Sequence, residues 1–116
     1  MGIVAPPSLP PLPDYAHSVL AVAAPGVGPG HWAGAPSAVL ADDGFYLAYR
    51  LRRPIGAGRG YVLVVARSAD GVVFTPIATL SREAFGAASL ERPTLVRRPD
   101  KSWRLYVSCA TPGSLH

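Results

Sequence analysis

The feature that most constrains this chain is an internal repeat. The segment that begins at Pro36 lies over the segment that begins at Pro93 without a gap. Ser37 meets Thr94, Val39 meets Val96 and Asp43 meets Asp100. Tyr46 meets Trp103, and Tyr49 meets Tyr106, all at a constant offset of 57 residues. A repeat of about fifty residues that holds several short strands is the pattern of a β-propeller blade. A single twisted sheet of that kind cannot bury both faces alone, so it needs neighbours.

Local patterns supply the strands. Pro36 to Leu40, Phe45 to Arg50, Tyr61 to Ser68 and Val73 to Leu80 read as four strands in an antiparallel meander. Asp42-Asp43-Gly44 and Ala69-Asp70-Gly71 have turn chemistry, because Asp favours turns and Gly supplies positive φ. Pro76 places the fourth strand at an edge. Ser81 to Ala88 reads as a short helical turn or loop. Two more strands follow, Pro93 to Val96 and Trp103 to Ser108, joined through Pro99-Asp100-Lys101-Ser102. The fold class expected is all-β: one antiparallel four-stranded blade plus half of a second. Residues 31–80 form the first and residues 89–116 the second, preceded by a proline- and glycine-rich arm over residues 1–30. Within that arm Ser18-Val19-Leu20-Ala21-Val22-Ala23 is a further strand candidate. One and a half blades do not close a ring. The chain is then part of a longer array, or several copies assemble, or the fold is a small sheet. The first is the expectation, and such a fragment taken alone would leave strand edges open to self-association.

Composition excludes several function classes. Hydrophobic residues make up 49% and charged residues 16%, which is a folding sequence. The net charge of +4 is a mild excess without a nucleic-acid module signature, so no nucleic-acid partner is expected. No apolar run spans a bilayer, so no membrane partner is expected. Met1 to Pro7 lacks the basic and apolar regions of a secretory signal, which sets a cytoplasmic location as the default. One cysteine, Cys109, permits neither an intrachain disulfide nor a cysteine-based zinc site, and it reads as a small buried hydrophobe. Gly56-Ala57-Gly58-Arg59-Gly60 lies between strands and opens no helix, so it is not a phosphate loop. No cofactor and no metal are expected.

Three stretches resemble a known family. They are Trp32-Ala33-Gly34-Ala35-Pro36-Ser37, Asp43 to Arg50, and Val65-Ala66-Arg67-Ser68-Ala69-Asp70-Gly71-Val72-Val73-Phe74. With Glu91-Arg92-Pro93 and Trp103 to Ser108, they resemble a blade of the five-bladed propeller glycosidases. That group includes arabinanases, β-xylosidases, arabinofuranosidases and fructosidases. The resemblance runs from His31 to the C-terminus and implies a carbohydrate partner and O-glycosyl hydrolysis by the complete propeller. In that family a general-acid Glu stands two residues before a blade proline, as Glu91 stands before Pro93. A general-base Asp stands directly before the first-blade proline, where this chain has Ala35. Trp32, His31 and Arg92 are the substrate-binding candidates that the resemblance implies.

The chemistry makes Ala35 important. Glycoside cleavage takes two carboxylates, one to protonate the leaving oxygen and one to activate water or attack the sugar carbon. Asp42, Asp43, Asp70 and Asp100 are expected in turns for backbone reasons. Glu91 is thus an acid candidate with no evident partner, or one half of an ion pair with an arginine. A non-catalytic module that binds carbohydrate or protein is the alternative to a glycosidase. Trp103, Tyr46, Tyr49 and Tyr106 fall at repeated positions and are expected in the core.

Overall fold

The computed structural model describes residues 8–113. It is all-β. Strands β1 (Trp32–Ala41), β2 (Gly44–Arg52), β3 (Gly60–Ser68) and β4 (Thr75–Ser81) form one antiparallel sheet in sequential order. Strands β5 (Ser89–Arg97) and β6 (Trp103–Ala110) form a separate hairpin. A 3₁₀ turn at Arg82–Phe85 leads from one sheet to the other. The segment Ser18 to Ala23 is not a strand: it carries no ladder, and Val22 packs side-on against the sheet instead. Pro76 lies in β4, at the edge of the sheet.

Alternation along β2 builds the core. Tyr46 and Ala48 point to one face, and Leu47 and Tyr49 point to the other. The hairpin β5–β6 covers the first face. Leu95, Trp103 and Leu105 pack there against Tyr46, Ala48, Val39 and Val65. The Tyr46 and Trp103 rings lie 4.4 Å apart at 47°, a tilted aromatic pair. Val22 and Phe74 pack on the second face, against Tyr49, Val64 and Ala66.

The repeat persists in the backbone, with one change. In β1 the residues Ala35 and Pro36 form a bulge opposite Tyr49, between the pairs Gly34–Arg50 and Ser37–Ala48. In β5 the residues Arg92 and Pro93 form the same bulge opposite Val107, between the pairs Glu91–Ser108 and Thr94–Tyr106. Both residues that precede the prolines have positive φ, 52° at Ala35 and 36° at Arg92. A bulge accommodates a proline because it leaves one residue out of the ladder.

The second strands are out of step. Leu40 pairs with Phe45, whereas Arg97 pairs with Trp103 across one more residue. The extra residue is absorbed in the turn, where Lys101 takes φ 68° and Arg98 N–H bonds Ser102 O. An offset of one reverses every side chain on a strand. Tyr106 therefore stands in the place of Ala48 and not of Tyr49. It is 53% exposed and not part of the core, while Tyr46 and Tyr49 are buried. Cys109, on the same strand, is likewise exposed and not a buried hydrophobe.

The aspartates serve the turns. Asp70 Oδ1 accepts from the N–H groups of Val72 and Val73 and from Ser68 Oγ, which itself accepts from the Asp70 and Gly71 amides. These donors hold the Asp70 carboxyl down at about 2. Asp43 accepts from the Tyr46 hydroxyl, and Asp100 accepts from Ser102.

The two sheets approach each other closely at Gly60. A Cβ there would stand 2.0 Å from the Leu90 carbonyl oxygen and 2.9 Å from Ser89 Oγ. The Gly60 amide donates to Ser89 Oγ. Gly60→Ala should therefore destabilise the fold by about 1–3 kcal/mol, lowering Tm by on the order of 10 °C. Gly56→Ala, with open space at its Cβ, should leave thermal unfolding unchanged. Asp70→Ala should lower Tm at neutral pH. The ionised Asp70 stabilises the fold above its unfolded value of 3.8, and that contribution is lost as pH falls toward 2. Melts across pH 5 to 2 should show the gap between wild type and variant closing.

Candidate functional site

The face of β2 that meets the hairpin changes character along its length. Tyr46 and Ala48 are apolar, and the next residues on that side are Arg50 and then Arg52. The seam between the sheets is thus hydrophobic at one end and cationic at the other. At the cationic end lies a cavity of about 370 Å³, lined by Arg50, Arg52, Arg59, Glu91, Arg92 and Ser108. Its size falls within the range of small-ligand pockets, about 300–1,000 Å³.

The bulge in β5 accounts for two of these residues. Consecutive strand residues ordinarily point to opposite faces. At the bulge the alternation breaks, and Glu91 and Arg92 both line the cavity. On the first hairpin the position that matches Glu91 is Gly34, opposite Arg50. A glycine there leaves that position without a side chain.

A polar chain crosses the seam beneath the cavity. The Gly60 amide donates to Ser89 Oγ, and Ser89 Oγ donates to Glu91 Oε1 at 2.6 Å. Glu91 Oε2 is ion-paired with the Arg50 guanidinium. The pair is largely shielded, with side chains 14% and 26% exposed. Burial, together with the charges of Arg52, Arg92 and Arg59, pushes the Arg50 guanidinium below its ordinary value.

Of the sequence candidates, Glu91 and Arg92 come together in this cavity. Trp32 adjoins it: the Arg52 guanidinium sits over the Trp32 ring at 4.7 Å, and the indole is 46% exposed. His31 does not line the cavity. It packs against Gly26, where a Cβ would lie 2.7 Å from Nδ1. Arg52, Arg59, Ser89 and Ser108 were not legible as site residues. The spacing of Arg50 and Arg52 on one strand was the available signal for the first of them.

Among the described residues no group of three or more His, Cys, Asp or Glu side chains is arranged to hold a metal ion. No helix among them is long and apolar enough to cross a membrane. Comparison with protein-family models, with curated proteins and with solved structures gives no match.

The ion pair makes a stability prediction. Glu91→Gln leaves Arg50 facing three other guanidinium groups with no counter-charge. It should cost about 1–3 kcal/mol, read as a lower urea midpoint. Raising the salt from 50 to 500 mM should recover part of that loss, because the repulsion is screened.

Proposed function

We propose that the chain is a four-stranded blade and half of the next in a propeller-type array, and that its cavity binds carbohydrate without cleaving it. The matching bulges support the array. So does the packing of one repeat's face on the next. The half-repeat also leaves Val65, Ile77 and Ala78 of the first sheet along an open groove beyond Leu105. That is where the outer strands of a complete second blade would lie.

The observation that carries the functional reading is the convergence of Glu91, Arg92, Arg50, Arg52 and Arg59 on one cavity. Guanidinium forks and a carboxylate are the donors and acceptors that sugar hydroxyl groups need. Trp32 adds an exposed aromatic surface beside Arg52. Binding is favoured over hydrolysis by the number of carboxylates and by the contacts of Glu91. It is the one carboxylate in the lining, and both its oxygens are already engaged, by Arg50 and by Ser89. Hydrolysis takes a second carboxylate roughly 5–10 Å away.

A glycan array probed with the purified chain should give sugar-dependent binding. Activated aryl glycosides should show no turnover above buffer. Turnover that disappears in Glu91→Gln would replace this reading with the hydrolase one, and an array without a single positive sugar would remove carbohydrate altogether.

A further inference from the structure

We infer that the arginine-lined cavity selects sugars that carry an oxyanion, a uronate carboxylate or a sulfate ester, over neutral sugars. The inference rests on the carbohydrate reading above and specifies its ligand class.

The charges in the lining do not balance. Four guanidinium groups face one carboxylate, and that carboxylate is engaged by Arg50. Arg59 and Arg92 have no side-chain hydrogen bond or ion pair among the described residues, and Arg52 has only its contact with Trp32. The Nε atoms of Arg50, Arg52 and Arg59 are buried without a hydrogen-bond partner. Burying a cationic donor without an acceptor costs free energy.

A neutral sugar would fill the space and leave the charge as it is. An oxyanion would accept hydrogen bonds from the guanidinium forks, relieve their mutual repulsion and supply the missing counter-charge. The carboxylate and the sulfate ester share this chemistry.

The test is calorimetric titration of the full 116-residue chain with matched ligands. These are a galacturonate trisaccharide, its neutral galactose counterpart and a sulfated galactose trisaccharide, each at 50 and 300 mM NaCl. At least one acidic ligand should bind about tenfold or more tightly than the neutral one, and the margin should shrink at the higher salt. Preference for the uronate or for the sulfate supports the inference and names the source of the oxyanion. Arg59→Gln and Arg92→Gln should each reduce the preference severalfold while Tm stays within about 2 °C of wild type, since neither side chain holds the fold together. Equal binding of acidic and neutral ligands overturns the inference and leaves the carbohydrate reading standing. Binding of none of the three overturns the inference, and an empty glycan array would extend that failure to the reading beneath it. A preference that survives unchanged when Arg59→Gln and Arg92→Gln are combined overturns its assignment to this cavity.

Discussion

The packing of one sheet on the other depends on how closely they approach at Gly60. The missing side chain lets the Leu90 carbonyl and the Ser89 hydroxyl come against the backbone of β3. That contact brings the start of β5 beside β3. Once β5 is there, Leu95 and Trp103 lie over Tyr46, and Leu95 N–H reaches Ser37 Oγ from the other sheet. The same approach brings Glu91 against Arg50. Packing and site are therefore two ends of one seam. At one end, burial of apolar area drives association of the sheets. At the other, a single carboxylate is set among four arginines that repel one another.

The two bulges explain how a repeated backbone yields a site that is not repeated. Both hairpins place two residues against one at the same depth, with a proline second. In the first hairpin the residues before the proline are Gly34 and Ala35, which bring no charge. In the second they are Glu91 and Arg92, which bring one of each sign. The broken alternation sends both into the cavity. A regular strand would have sent one of them to the opposite face. The same geometry thus holds space in one copy and chemistry in the other.

Much of the fold was legible from residue patterns. β-branched runs, Asp-Gly turns and the repeat predict the strands and their order, because each strand satisfies its own turn chemistry and burial pattern. The side-chain directions of β6 were not legible. A gap-free match pairs Tyr106 with Tyr49, yet one additional residue in the Arg98–Ser102 turn reverses the strand and exposes Tyr106. Ser18 to Ala23 has strand-like composition but no ladder partner, and composition alone does not supply one. The site was half legible. Glu91 and Arg92 stand out through their place before Pro93, whereas Arg52, Arg59 and Ser108 reach the cavity from two other strands and a loop end. Their convergence is a property of how the sheets pack.

Arg50 and Glu91 are coupled across the seam. A double-mutant cycle of Arg50→Gln, Glu91→Gln and the pair, read by urea unfolding, tests it most directly. The double variant should be more stable than Glu91→Gln alone, because removing Arg50 also removes a repelling charge. The coupling should be about 1 kcal/mol or more. Strictly additive effects would contradict it and would leave the seam to its apolar contacts.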